Sequence, residues 1–136
     1  MFISLRAGEK IYINGAVIRV DRKVSFELLN DATFLLETHV MKVEEATTPL
    51  RQLYFIIQIM LMNPTDTDAA LEMFHTAVGD TIGVLEDLSL RGGLHTIKKL
   101  IDSNRIFDAL KATRALFPIE SSIMSGNTQS PPIQAA

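Results

Sequence analysis

The sequence predicts an α+β fold, an N-terminal antiparallel β-sheet of short strands followed by an α-helical bundle of about four helices. Three observations predict it. Up to about residue 41, apolar residues come in runs of four to six broken by turn-forming residues. From Pro49 onward they recur at helical spacing. Between the two regimes stands Thr48-Pro49, a cap followed by a proline at the first helical position, where its missing N–H costs nothing. The division that follows is a β-rich part over 1–46, a helical part over 47–117 and a disordered tail over 118–136.

The strands are read in order. FISL opens the chain, and Ala7-Gly8 turns it into KIYI. Asn14-Gly15 then reverses it through AVIRV, because both residues tolerate the positive φ of a type I′ turn. A two-residue loop pairs Ile13 with Ala16, Tyr12 with Val17, Ile11 with Ile18 and Lys10 with Arg19. Ile11, Ile13, Ala16 and Ile18 should therefore face the core, and Lys10, Tyr12, Val17 and Arg19 the outside. Asp21-Arg22-Lys23 breaks the pattern before VSFELL, and Asn30-Asp31 before ATFLLE.

The helices follow. The first runs from Pro49 to Met62 and stops at Asn63-Pro64. Its apolar surface goes almost all round, leaving Arg51, Gln52 and Gln58 as the polar side, so it is either central or faces a partner. Thr65-Asp66-Thr67-Asp68 caps a second helix that reaches about Glu86. DLSLRGG reads as a loop, and LHTIKKLIDS and RIFDALKATRALF as a helical hairpin bent at Ser103-Asn104.

Composition narrows the function. The 136 residues contain no cysteine, which excludes disulfides and thiolate metal sites and fits a reducing compartment. The most apolar run, LYFIIQIMLM, is too short for a membrane span and holds Gln58. The chain is accordingly read as soluble, cytoplasmic and without a membrane partner. His39, His75 and His95 lack metal-ligand spacing. Glu44-Glu45 and Glu86-Asp87 are adjacent acids, not carboxylates converging on a pocket. Gly92-Gly93 lacks the Lys-Ser/Thr of a phosphate loop, and Ser121-Ser122 lies in the tail. The reading is no enzyme, no cofactor and no metal.

Two sets of residues remain. The net charge is −3, yet residues 1–30 carry five bases against three acids and are net +2. The bases are Arg6, Lys10, Arg19, Arg22 and Lys23, with Tyr12 among them. The plain reading of this set is a solvated sheet face; the functional one is an RNA contact, cations on phosphates and an aromatic on a base. The second set, Arg51, Phe55, Gln58, Ile59 and Met62, lies on the first helix. Its plain reading is burial, and its functional one an interface with a partner or a second copy, giving a homo-oligomer.

LRAGEKIYINGAVIR followed by EEATTPLRQLYFIIQIMLMNP resembles the FlbT family of flagellin regulators. The positions that carry the likeness are Gly8, Glu9, the Ile13-Asn14-Gly15-Ala16 turn, Thr48-Pro49, Tyr54-Phe55, Gln58, Met60-Leu61 and Pro64, and ALKATRAL looks like the family's last helix. The resemblance covers about residues 4 to 117. It implies post-transcriptional control of flagellin through the 5′ untranslated leader of its mRNA, usually lowering translation and message lifetime. The alternative under the same resemblance is a protein-binding adaptor, or a chaperone-like flagellar assembly factor, that affects the message only indirectly.

Overall fold

Asn14 and Gly15 both take positive φ, 48° and 87°, and the strands on either side pair in the register the turn dictates, Lys10 opposite Arg19 through Ile13 opposite Ala16. The structure is a computed structural model that describes residues 1–30 and 32–126. The strands are β1 (Phe2–Leu5), β2 (Lys10–Ile13), β3 (Ala16–Arg19), β4 (Val24–Glu27) and β5 (Phe34–Leu36). They do not form one meander. β1 pairs with β4, while β2 is the centre of a three-stranded sheet ordered β3-β2-β5, all antiparallel. The hairpin tip is tied down on both sides. Asn14 exchanges hydrogen bonds with Thr33, N–H to carbonyl at 2.8 Å and Oδ1 from the Thr33 N–H at 3.2 Å. A Cβ on Gly15 would come within 3.1 Å of Pro64, just past the first helix.

Two single-turn 3-10 helices, Glu37–His39 and Val43–Glu45, lead into five α-helices: α1 (Pro49–Met62), α2 (Asp68–Val84), α3 (Leu88–Asp102), α4 (Ile106–Ala115) and α5 (Phe117–Met124). The α1 limits match the expected ones. Thr48 caps it through Oγ1, which accepts the Arg51 N–H. α1 is the central helix. It packs on α2 and α4, touches α5 and β5, and buries Leu50, Leu53, Tyr54, Ile56, Ile57, Met60 and Leu61.

The three-stranded sheet is covered on both faces. Ile11 and Phe34 meet Ile3 and Leu5 of the two-stranded sheet, with Ile13 and Leu36 packed alongside, in a small core. On the opposite face Leu35 and Tyr12 join the large helical core. Alternation explains this, since Tyr12 pairs with Leu35 and Ile11 with Leu36. Three residues depart from the expected faces. Tyr12 is half-buried against the helices, and Ala16 and Ile18 are exposed. All have one cause: the covering layers lie over β2 and β5, while the edge strand β3 is exposed along its length.

The helical part departs from expectation in two places. DLSLRGG belongs to α3 rather than to a loop. Asp87 caps the helix by accepting the Leu90 N–H at 2.9 Å. The glycines inside α3 serve packing at Gly93, where a Cβ would meet Leu116 at 2.6 Å. Phe117–Met124 is also helical, where a disordered tail is expected from residue 118. Its Glu120 is buried, accepts the Thr48 hydroxyl, and accepts the Leu50 N–H at 2.9 Å. A carboxylate from the last helix thus holds the positive end of the central one. Residues 127–136 of the expected tail lie outside the described residues.

Candidate nucleic-acid interface

The hairpin places Lys10 and Arg19 directly opposite each other across β2 and β3. Like charges in that arrangement repel by a few tenths of a kcal/mol, at the low end of the about 0.2–1 kcal/mol range for cross-strand pairs. Lys10 is half-exposed and Arg19 exposed. Among the described residues neither side chain has an ion-pair partner. The Lys10 N–H donates to Glu37 Oε1 at 2.7 Å, which joins the start of β2 to the first 3-10 turn.

The other cations of the set differ. Arg6 is tied to Glu9: its N–H donates to Oε1 at 2.6 Å and its guanidinium lies 3.5 Å from Oε2. That backbone hydrogen bond holds the Glu9 carboxyl below the usual glutamate value, helped by the Arg6 charge. Arg22 pairs with its neighbour Asp21 at 3.3 Å. Lys23 is exposed and unpaired among the described residues. Tyr12 shares a strand face with Lys10 but packs its ring on the helical core.

On α1, Phe55 and Met62 are half-buried, Ile59 is exposed, and Arg51 lies over the Phe117 ring at 4.5 Å. Gln58 is 3% exposed, and both polar atoms of its amide bond the backbone of one residue. Oε1 accepts the Met41 N–H at 2.6 Å, and Nε2 donates to the Met41 carbonyl at 2.9 Å. Gln58 is thus a clamp holding segment 40–42 against the helix, rather than part of the helix's polar side.

That segment borders a cleft of about 210 Å³ whose lining includes His39, Met41, Arg51, Tyr54, Arg114 and Phe117. Arg114 Nη2 donates to the Tyr54 hydroxyl at 2.7 Å, and that hydroxyl donates to the His39 carbonyl at 2.5 Å. His39 is exposed, yet partial desolvation of its ring, with the Arg114 charge second, lowers its pKa from its ordinary 6.5. Sequence reasoning did not single out Arg114, Tyr54, Phe117 or His39 as one group. They come from four separate elements, and no local spacing announces their meeting. Among the described residues, the lining of the larger cavity, about 630 Å³, includes Asp108 and Lys111, which pair with each other at 3.7 Å.

Fold and surface together define a class: a small α+β protein whose chemistry-bearing groups are cations and aromatic rings. No helix of the described residues is long and apolar enough to cross a membrane. The chain belongs to the family described as flagellar protein FlbT, which matches residues 1–124. It is 52% identical over its whole length, and the whole length of the relative, to a "probable flagellum biosynthesis repressor protein FlbT 2" of Bradyrhizobium diazoefficiens. It is 51% identical to a probable flagellum biosynthesis repressor of Mesorhizobium japonicum, covering 95% of this chain and 88% of the relative. A relative with the same description from a Chelativorans species is 50% identical, over 93% and 88%. No solved structure matches the chain.

Proposed function

We propose that this protein is a non-enzymatic regulator of flagellin synthesis that contacts the leader of flagellin mRNA. Family membership and the repressor names of its relatives support the regulatory part. The RNA part is supported by one observation above the rest. Lys10 and Arg19 sit side by side across a hairpin, with no carboxylate partner among the described residues. Such a pair gains by sharing an anion, and the phosphates of a single strand supply one every nucleotide. Lys23 extends the patch, whereas Arg6 and Arg22 would first have to give up Glu9 and Asp21.

Fluorescence anisotropy of a labelled single-stranded flagellin leader RNA tests this. The double variant Lys10→Ala/Arg19→Ala binds more weakly, and its salt dependence flattens by about 0.7 in log–log slope for each phosphate it no longer neutralises. Unchanged affinity and slope would remove these two residues from the site.

A further inference from the structure

The cleft between segment 38–41 and helices α1, α4 and α5 holds two arginines whose donors are largely unspent. Each guanidinium carries five N–H donors. Among the described residues Arg114 uses one on Tyr54, and the Arg51 guanidinium makes only its contact with the Phe117 ring. Among the described residues neither has a carboxylate in ion-pair range, and the nearby acids are hydrogen-bonded to other groups. Glu45, in the lining, accepts the Lys42 N–H at 2.8 Å, and Glu120 on α5 is spent on the start of α1.

The arginines are also held in place. Arg51 stacks over Phe117 at 4.5 Å, Arg114 lies 5.4 Å from the Tyr54 ring centre, and the two rings are 5.5 Å apart. Stacking on an aromatic face orients a planar guanidinium before any ligand arrives. Two forks lining one small cavity suit a phosphate better than a carboxylate, because the two oxygens of a carboxylate are satisfied by a single fork.

We infer that this cleft is a phosphate-binding site, with Arg51 and Arg114 as its ligands and Tyr54 and Phe117 as the platforms that orient them. The anion is a phosphodiester of bound RNA or a free phosphate, and assigning it to RNA rests on the function proposed above. Position favours RNA. Glu37 holds the Lys10 backbone, and the next two residues, Thr38 and His39, line the cleft, so one helical turn joins the hairpin cations to it.

The test uses the full-length chain and two probes, inorganic phosphate in thermal melts and the labelled leader RNA in anisotropy. Phosphate raises the melting temperature of the wild type more than that of Arg51→Gln or Arg114→Gln; the comparison cancels the general effect of the salt. Arg51→Lys keeps the charge without the fork and loses most of the specific shift. If RNA is the source, each glutamine variant also loses about tenfold or more in RNA affinity. A phosphate shift abolished in the variants with RNA affinity unchanged keeps the site and makes a free phosphate its ligand. A wild type that responds to phosphate but binds no RNA keeps the site and overturns the proposed function instead. Equal phosphate responses in the wild type and both variants would overturn the inference. So would a shift through Arg51 with a carboxylate-bearing peptide and none with phosphate. Arg114→Gln also takes a hydrogen bond from Tyr54, so Arg51→Gln, which gives up only the stacking on Phe117, is the decisive variant.

Discussion

Replacing Gln58 by leucine separates two accounts of the central helix. On a solvated helix face such a change costs no more than about 0.5 kcal/mol. In the structure Gln58 is buried and supplies the partners of both Met41 backbone groups. Leucine leaves that N–H and that carbonyl without them. Each buried unsatisfied group costs about 1–3 kcal/mol, so the pair loses about 2–6 kcal/mol. The added apolar burial returns about 1–2 kcal/mol. Mid-range values leave a net loss of about 2–3 kcal/mol, a large share of the roughly 5–15 kcal/mol that holds a domain folded. Urea denaturation followed by circular dichroism reads it directly. With a slope of about 2 kcal/mol per molar, the midpoint falls by about 1–1.5 M. A loss under about 0.5 kcal/mol at unchanged slope would refute the clamp. It would also free segment 40–42 from its role as a wall of the arginine cleft.

Neighbouring glycines in α3 give changes of opposite sign. Gly92→Ala meets no atom within 4 Å and stabilises by about 0.5–1 kcal/mol, whereas Gly93→Ala makes the Leu116 side chain shift, and overpacking of about 1–3 kcal/mol less the same helix gain leaves it about 0–2.5 kcal/mol less stable. Thermal melts of the two proteins side by side check the sign. His39, followed by NMR, titrates below 6.5 in the wild type and moves upward in Arg114→Gln, which removes one of the two causes of its lowering. The same shift fixes a stability trend. Between 6.5 and the lower folded value, the unfolded chain carries a proton on His39 that the folded chain does not, so stability falls as pH falls through that window and loses nothing further below it. A wild-type His39 titrating at or above 6.5 would contradict the packing described for the cleft.

Local chemistry was legible in the sequence wherever one short segment decided the outcome. Asn14-Gly15 specified a turn and hence a register, and Thr48-Pro49 with Asn63-Pro64 specified both ends of α1. What could not be read depends on contacts between distant segments. Glu120 looked like a residue of an unstructured tail because its partners, Thr48 and Leu50, lie some 70 positions earlier. Gly92-Gly93 looked like a loop because the reason for Gly93 is a leucine on the far side of a helix–helix crossing. Tyr12 looked outward because alternation gives two faces but does not say that both are covered. The candidate site divides the same way. The Lys10–Arg19 pair follows from a turn, whereas Arg51 and Arg114 share a cleft only because α1 and α4 pack together.

The charge balance constrains how such a surface would work. With a net charge of −3, the whole protein offers a polyanion no long-range attraction. Acids also neutralise many of its bases locally, as Asp102 does Lys98 at 3.1 Å and Asp108 does Arg105 at 2.7 Å. Screening at physiological salt acts over about 8 Å, so only cations close to a bound strand contribute. Discrimination then rests on where the unpaired cations stand rather than on how many the chain contains. Lys10 and Arg19 are placed by a backbone turn, and Arg51 and Arg114 by aromatic rings and a tyrosine hydroxyl. The turn fixes where the Lys10 and Arg19 side chains begin, whereas the Arg51 and Arg114 guanidinium groups are themselves held before any ligand is present, which lowers the ordering cost of binding at the cleft. Under the proposed function, an acidic protein with cations placed in this way would select a strand whose phosphates match their spacing and give little hold to nucleic acid in general.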